Sequence, residues 1–330
     1  MPQIKINEQE VGPIGYGLMG LTWRANPCPE EQAFEAIKAA LSNGCNFFNG
    51  GEFYGPPEYN SLVLLERYFA KYPEDADKVV LSVKGAAGPH GHQPNGTAAE
   101  INRSISQVIR QLNGRKKLDI FECARRDQNV SMEETFGAMQ KFIDEGKLGG
   151  ISLSEVRHET LLDAVKITKV VAVEIELSLF ATEALSNGIA ATCAKHNIPI
   201  VAYSPLGRGL LTGEIKSPED IPKDDMRRHM PRFQPGNFEH NITLVHQVNE
   251  MARKKGCTPG QFALGWVRTL SKRPGMPTII PIPGATTAER VNENSKLVDL
   301  TDEEMGVIDG ILEKMEVKGA RYPDFVPTDT

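Results

Sequence analysis

The chain reads Asn46-Phe-Phe-Asn-Gly-Gly-Glu-Phe-Tyr54-Gly55 at the point that best indicates its architecture. A short apolar run begins this stretch and predicts a β-strand. The run breaks at Asn49-Gly-Gly51, where glycine allows the chain to change direction at little cost. We interpret the stretch as a barrel strand that ends in a loop carrying Tyr54.

A second stretch further along the chain has the same design. Val79-Val-Leu-Ser-Val-Lys84-Gly85 is an apolar run that places one lysine at its carboxyl end. If the two strand ends are neighbours, the Lys84 ammonium would lower the pKa of Tyr54 and make its phenol a better proton donor. These residues alone also allow a surface tyrosine and a solvated lysine.

Composition is typical of a globular α/β protein. The 330 residues are 40% hydrophobic and 24% charged, which is enough for one large domain or two ordinary ones. The net charge of −6 and the pI of about 5.8 do not suggest a nucleic-acid partner or an anionic membrane surface. No apolar stretch has the length of a membrane span, and the amino terminus has no apolar signal core.

Cysteine and histidine usage does not indicate a metal site. The five cysteines are scattered and without CxxC spacing, which is typical of free thiols in a reducing compartment. His90 and His92 have the spacing of metal ligands, but no third ligand accompanies them, so we expect them to face solvent or substrate. We therefore predict a cytoplasmic protein with no metal cofactor.

Apolar runs and helix signals alternate along the chain. Thr97, Ser131, Thr258 and Thr301 predict helix starts, because a hydroxyl followed three residues later by Glu or Gln can cap a helix. Another helix is predicted over residues 182–196. The polar, proline-rich residues 214–237 are too long for an ordinary turn and predict a functional loop.

Strands that alternate with helices in this way indicate a closed (β/α)8 TIM barrel. The alternative is an open doubly wound sheet, but Gly15-Tyr-Gly17-Leu-Met-Gly20 lacks the long preceding strand of a dinucleotide-binding turn. No change in composition marks a boundary, so residues 1–330 are predicted to form a single barrel domain. Its site should lie at the carboxyl ends of the strands. Residues predicted there are Asn49, Tyr54, Lys84, Ala124, Arg125, Ser154, Glu174, Tyr203 and Gly284.

Four motifs, kept in order along the chain, resemble the aldo-keto reductases. They are Phe47-Phe-Asn-Gly-Gly-Glu-Phe-Tyr-Gly55, Lys84-Gly85, Tyr203-Ser-Pro-Leu-Gly-Arg-Gly-Leu-Leu-Thr-Gly213 and Ile280-Pro-Ile-Pro-Gly-Ala-Thr-Thr-Ala-Glu-Arg-Val-Asn-Glu-Asn294. The resemblance spans a core of residues 11–315 and leaves residues 317–330 as a tail. It implies a (β/α)8 barrel and the NADPH-dependent reduction of aldehydes or ketones, with no metal.

Three further segments resemble the fungal pyridoxal reductases within that family. They are Gly12-Pro-Ile-Gly-Tyr-Gly-Leu-Met-Gly-Leu-Thr-Trp23, Phe121-Glu-Cys-Ala-Arg125 and, in the tail, Gly319-Ala-Arg-Tyr322. The small-molecule substrate they imply is pyridoxal, reduced to pyridoxine. Two alternatives stay open: a general reductase of aromatic aldehydes or ketones, and a weakly catalytic NADPH-binding regulatory subunit similar to the potassium-channel β-subunits. The oligomeric state also stays open.

The resemblance implies that Tyr54 is the proton donor and Lys84 its partner. Asn49 stands where the family usually has the aspartate partner of the lysine. An amide can accept a hydrogen bond from Lys84 but supplies no negative charge. Lys84 is therefore expected either to lower the pKa of Tyr54 further than in a charge-balanced trio or to be less firmly held.

The substrate side of the site is implied to include Trp23, Ala124 and Arg125. Ala124 replaces a histidine that is usual in the family, which removes a donor to the carbonyl oxygen worth about 2.7–4 kcal/mol in other enzymes. It also opens space above the nicotinamide. Strand alternation points Arg125 away from Ala124, so a structural role is expected for it. Trp23 is either a substrate wall or buried in the barrel mouth.

The cofactor contacts are carried over from the resemblance alone. Ser154 and Glu174 match positions that hold the nicotinamide carboxamide, and Tyr203 matches the ring that stacks on nicotinamide. The remaining matches cover the pyrophosphate loop, the 2′-phosphate and the adenine: Ser204, Leu206, Gly207, Arg208, Gly284, Thr286, Thr287, Arg290, Glu293 and Asn294. Of these, Arg290 would fork onto the 2′-phosphate, while Gly284 replaces a lysine that is frequent in the family.

Overall fold

The computed structural model describes residues 3–88 and 93–328 of the chain. A β-hairpin comes first, formed by antiparallel strands β1 (Ile4–Ile6) and β2 (Gln9–Val11). Asn7 and Glu8 join the strands with φ angles of 49° and 64°. Two left-handed residues make the kind of tight turn that follows the natural twist of a hairpin.

Parallel strands then form the barrel. In the described ranges, one sheet contains eight strands in chain order. They are β3 (Tyr16–Gly17), β4 (Phe47–Gly51), β5 (Val80–Gly85), β6 (Leu118–Cys123), β7 (Leu148–Ser154), β8 (Val170–Glu176), β9 (Ile200–Tyr203) and β10 (Ile279–Pro281). Gly17 forms a parallel bridge with Gly284, and the Gly15 N–H donates to the Pro281 carbonyl at 2.9 Å. These contacts join the first strand to the last, so the predicted closed barrel is confirmed and the open sheet is wrong.

Helices surround the barrel. They are α1 (Met19–Thr22), α2 (Glu30–Ser42), α3 (Ser61–Lys71), α4 (Ala98–Leu112), α5 (Met132–Asp144), α6 (His158–Ile167), α7 (Ile189–Lys195), α8 (Asn237–Lys255), α9 (Pro259–Leu270), α10 (Ala288–Asn294) and α11 (Asp302–Leu312). The four predicted capping residues precede α4, α5, α9 and α11, and each hydroxyl accepts from the N–H three residues on. None of the helices within residues 3–88 and 93–328 is long and apolar enough to cross a bilayer.

The predicted helix over residues 182–196 is wrong in its first half. A short 3-10 turn occupies Glu183–Leu185, and α7 begins only at Ile189. Gly188 separates them with a φ angle of 98°, and a Cβ at this position would lie 2.7 Å from the His158 ring. The chain must bend here to pack against α6. Residues 214–237 form the predicted loop, with short 3-10 turns inside it.

Two hydrophobic layers leave one end of the barrel available for a site. Outside the strands, the helices bury large side chains such as Trp266, Tyr68 and Phe262. Inside, the lower part of the barrel is filled by Ile6, Phe47 and other apolar side chains from the strands. The hairpin closes the amino end of the barrel. The polar side chains of the interior lie toward the opposite end, at the carboxyl ends of the strands.

Ile6 is expected to be the hairpin residue on which this closure depends. It is fully buried inside the barrel, whereas Lys5 beside it is exposed. Ile6→Ala should lower the free energy of unfolding by about 2–5 kcal/mol, because it removes buried methylenes and leaves a cavity. Urea denaturation would measure this change. Lys5→Ala is the control; an equal loss in both variants would contradict the role of the hairpin as a plug.

Candidate active site

Strand geometry brings Tyr54 beside Lys84. In the β4–β5 pair Gly51 lies opposite Lys84, and the Tyr54 N–H donates to the Gly51 carbonyl at 3.1 Å. A Cβ on Gly51 would lie 2.9 Å from the Tyr54 ring, so glycine is needed for the ring to fold back over the strand end. Tyr54 is only 7% exposed and stacks on Trp23 with ring centroids 5.5 Å apart.

Lys84 is buried against two carboxyl groups. Its ammonium is hydrogen-bonded to Glu174 and lies 3.7 Å from Glu122 Oε1. Glu122 is on β6 and Glu174 is on β8, and both side chains are almost completely buried. The negative charge that faces Lys84 therefore comes from across the barrel.

The expectation that Asn49 accepts a hydrogen bond from Lys84 is wrong. The Asn49 Nδ2 instead donates to Glu174 Oε2 at 2.6 Å and to Glu122 Oε1 at 3.4 Å. An amide nitrogen can only donate, and two buried carboxyl groups need donors. Asn49 therefore holds the acidic side chains that face the lysine.

The predicted net lowering of the Tyr54 pKa is wrong in this structure. Burial is the largest cause and raises the pKa of Tyr54 to about 12; Lys84 acts to lower it, while Glu174 and Glu122 raise it. From the sequence, Lys84 is the expected influence on the pKa of Tyr54. The desolvation of the phenol and the two acids on other strands become visible only in the structure. Opposite-charge attraction within the cluster raises the pKa of Lys84 against the effect of burial.

The predicted substrate residues do not all share one surface. Ala124 packs with Tyr54, Phe53 and Ala87 in one apolar cluster, and Trp23 lies against it. Arg125 is turned toward the tail, where its Nε donates to the Pro327 carbonyl at 2.6 Å. These contacts agree with the structural role expected for Arg125.

The tail is a part of the site that sequence reasoning did not place. Tyr322 crosses the barrel mouth, its hydroxyl lies 2.9 Å from that of Tyr203, and its ring lies 4.5 Å from the Arg208 guanidinium. Arg321 donates to both carboxylate oxygens of Glu155, at 2.9 and 3.2 Å. The signal available in the sequence was a glutamate at position 155, directly after the apolar strand that ends at Ser154, which would need a cation from elsewhere in the chain if it were buried.

Ser154 and Tyr203 lie at the strand ends near the lysine cluster. The Ser154 hydroxyl is buried and has no hydrogen-bond partner among the described residues. The Lys84 ammonium is 5.4 Å from the centre of the Tyr203 ring. Glu174 bonds to Lys84 and Asn49 through its two oxygens, so its predicted contact with a carboxamide stays a prediction.

The loop after β9 has the tight backbone expected of a phosphate-binding segment. Ser204, Gly207, Arg208 and Gly209 all have positive φ angles, and Leu206 is nearly buried between them. Such turns direct successive N–H groups to one side. Arg208 lies on this loop, and its Nη2 is 3.3 Å from Glu176 Oε2.

The remaining predicted cofactor residues gather at α10. Arg290 pairs with Glu293 at 2.8 Å and with Glu214 of the long loop. Thr287 caps the helix by accepting from the Arg290 N–H, and the Thr286 carbonyl accepts from Gln32. Gly284 lies against the first barrel strand. Both amide atoms of Asn294 are buried without a partner in the part of the chain that the structure describes. His90 and His92 lie outside the described residues.

Comparison with known proteins identifies the family. The aldo/keto reductase family model matches residues 13–313. A Schizosaccharomyces pombe protein named "probable pyridoxal reductase 2" is 43% identical, covering 96% of this chain and 96% of its own. A Saccharomyces cerevisiae protein, provisionally named a pyridoxal reductase, is 40% identical over 93% of this chain and 95% of its own.

Solved structures agree on the fold. A glycerol dehydrogenase from Gluconobacter oxydans superimposes with a TM-score of 0.81 at 24% identity, covering 96% of this chain and 97% of its own. An aldo-keto reductase from Klebsiella pneumoniae, solved in complex with NADPH, gives 0.70 at 21% identity, covering 97% of this chain and 98% of its own. The family match over residues 13–313 and the relatives at 40% identity or more define the chain as an NADP-dependent oxidoreductase. The chain belongs to the aldo/keto reductase family.

The Arg321–Glu155 pair is expected to hold the tail on the barrel. Arg321→Gln should lower the free energy of unfolding at neutral pH by about 3 kcal/mol, because Glu155 is fully buried and would lose a charged partner. It should also make the tail easier to cleave in limited proteolysis. Lys314→Gln, at an exposed position, is the control and should change neither property.

The same pair predicts a pH dependence. Burial acts to raise the pKa of Glu155, but Arg321 and Arg125 outweigh it and hold that pKa below the ordinary value of 4.5. The stabilisation is therefore present above about pH 4.5 and is lost as the pH falls through the lowered pKa. Denaturation curves at several pH values should show the difference between wild type and Arg321→Gln shrinking in that range. A constant difference would contradict the assignment.

Proposed function

We propose that this protein reduces an aldehyde with NADPH, converting pyridoxal to pyridoxine, and that Tyr54 is the proton donor. The observation that carries the proposal is the burial of Tyr54 close enough to Lys84 for each charge to shift the pKa of the other. Lys84 is on β5, and Tyr54 follows the neighbouring strand β4. Aldehyde reduction needs one proton on the carbonyl oxygen, and these two groups can supply it.

The residues of the site divide the work. When bound, NADPH supplies the hydride that the carbonyl carbon receives. Tyr54 gives its phenolic proton to the carbonyl oxygen, and the phenolate that remains is stabilised by the Lys84 ammonium. Glu174 and Glu122 hold that ammonium in place, and Asn49 holds the two acids. Phe53 and Trp23 pack beside Tyr54 and keep water from the reacting oxygen.

Several observations support NADP(H) as the cofactor. Ser154 has a buried hydroxyl, and Asn294 a buried amide, that lack protein partners in the described residues, which suits groups that bond to a ligand. Tyr203 offers a ring for nicotinamide, and the loop around Gly207 can admit a pyrophosphate. Arg290 would bind the 2′-phosphate. Glu214 and Glu293, which pair with Arg290 in this structure, would compete with the phosphate for its guanidinium.

Pyridoxal is proposed on chemistry and on relatives. The relatives named as pyridoxal reductases cover nearly the whole chain at 40% identity or more. Ala124 packs beside Tyr54 with a smaller side chain than the histidine usual in the family, and the aromatic rings of Trp23 and Phe53 suit a flat substrate. Pyridoxal carries a phenolic oxygen ortho to its aldehyde, which can offset the donor lost at Ala124. We also propose a single barrel domain and a cytoplasmic location.

A general reductase of aromatic aldehydes is the second candidate. The wall formed by Trp23, Phe53 and Ala87 is apolar and would accept many aromatic rings. A panel of aldehydes assayed with NADPH separates the two functions. Turnover of unrelated aromatic aldehydes with none of pyridoxal would remove the pyridoxal assignment.

Tyr54→Phe tests the proton donor. We expect kcat with NADPH and pyridoxal to fall by about 100-fold or more, because a positioned general acid contributes this much. Absorbance of the nicotinamide at saturating substrate measures the rate. Tyr59→Phe is the matched control, since within the described part of the chain its hydroxyl donates a single long hydrogen bond, to the Cys28 carbonyl at 3.5 Å. Equal rates in wild type and Tyr54→Phe would show that another group donates the proton.

Arg290→Gln tests the 2′-phosphate contact. We expect the KM for NADPH to rise about 10- to 100-fold, because one or two charged hydrogen bonds are lost. The KM for NADH should not change. Arg273→Gln, which removes a surface pair with Asp309, serves as the control. An equal rise for both cofactors would contradict the assignment of Arg290.

A further inference from the structure

Two buried carboxyl groups share one ammonium inside the barrel. Lys84 is hydrogen-bonded to Glu174 and approaches Glu122 at 3.7 Å. Asn49 reaches both acids through one nitrogen, at 2.6 and 3.4 Å. If both acids were ionised, the cluster would carry a net negative charge away from water, which is costly.

Ser152 indicates where the extra proton lies. Its hydroxyl is 2.9 Å from Glu122 Oε2 and 2.9 Å from the Ala172 carbonyl oxygen. The hydroxyl has one proton, and a carbonyl oxygen can only accept. A proton on Glu122 allows both short contacts to be hydrogen bonds, with Glu122 donating to Ser152 and Ser152 donating to Ala172.

We propose that Glu174 is the positioning residue that balances the charge of Lys84, and that Glu122 stands beside it as a neutral carboxylic acid. Glu174 on β8 then determines how much of the Lys84 charge acts on Tyr54, while Asn49 only orients the two acids. The proposal rests on the proposed role of Tyr54 as proton donor. Glu174 acts on the reaction through Lys84 and Tyr54.

The electrostatics of the surrounding groups agree with this assignment. Burial raises the pKa of Glu122 well above its ordinary value, and the nearby Glu174 raises it further. The titratable groups that face the cluster are Lys84 on β5, Glu122 on β6, Glu174 on β8, Tyr203 on β9, Tyr54 after β4 and Tyr322 in the tail. Among them, a carboxylate at Glu174 is the group whose removal leaves the lysine charge unbalanced.

Matched amides separate the two acids. Glu174→Gln should let the Lys84 charge act on Tyr54 without opposition, so the pKa of the phenol should fall by about one unit or more. The basic limb of the pH profile of kcat/KM should move down by the same amount. Glu122→Gln replaces a neutral acid by a neutral amide and should leave that limb where it is.

A charge swap tests the location of the carboxylate. The double variant Asn49→Asp/Glu174→Gln returns one negative charge to the cluster from β4, and it should restore the wild-type basic limb. Circular dichroism would establish that each variant is folded. The double variant has the same formal charge as wild type, so it keeps the test usable if Glu174→Gln alone does not fold.

A spectroscopic titration keeps this test independent of turnover. The ultraviolet absorbance of tyrosinate, taken as a difference against the same variant carrying Tyr54→Phe, reports the phenol directly. An unchanged titration in Glu174→Gln, or an equal shift in Glu122→Gln, would overturn the assignment of the charges. Undiminished reduction by Tyr54→Phe would instead overturn the proposed function and leave the titration result standing.

Discussion

The ammonium of Lys84 is the charge on which the architecture of the site depends. A cation in the interior of a barrel needs a carboxylate close by, because water cannot reach it. The chain supplies that carboxylate from β8, with a second acid from β6, and Asn49 holds both. The closure of the barrel between Gly17 and Gly284 is what allows strands far apart in sequence to face one another across the interior.

The arrangement makes Tyr54 a weak acid. Burial, together with the charge of Glu174, outweighs the effect of Lys84 and raises the pKa of Tyr54 to about 12. A phenol with so high a pKa stays protonated throughout the physiological range, but it is a weaker acid than a free tyrosine, so proton transfer depends on the Lys84 ammonium stabilising the phenolate that remains. The Glu174 carboxylate also limits how far Lys84 can stabilise the phenolate, so Glu174 and Lys84 together set the acidity of Tyr54.

The tail connects this cluster to the loop after β9. Tyr322 contacts Tyr203 and Arg208, and Arg321 reaches Glu155 beneath them. The tail thus places two side chains where nicotinamide and pyrophosphate are proposed to bind. Arg321 joins the tail to the barrel through ion pairs with the buried Glu155 and Glu176.

Local signals accounted for most of the elements. Hydroxyl caps such as Thr97 and Ser131 define helix starts through hydrogen bonds three residues away, and these can be inferred from sequence alone. The prediction of one helix over residues 182–196 was wrong because a contact between distant parts of the chain decides the backbone there. Gly188 bends the chain because of the His158 ring on a neighbouring helix, and no local pattern encodes that contact.

The amino-acid sequence by itself determined the barrel class, the family and the meeting of Tyr54 with Lys84, because strand ends and their order are local properties. Only the tertiary structure decided the charges around them. Glu122 and Glu174 looked like residues of separate strands, and Asn49 looked like a lost counter-ion. Whether two charges interact depends on the distance between them in space. The closed barrel is therefore needed to identify Glu174 as the partner of Lys84.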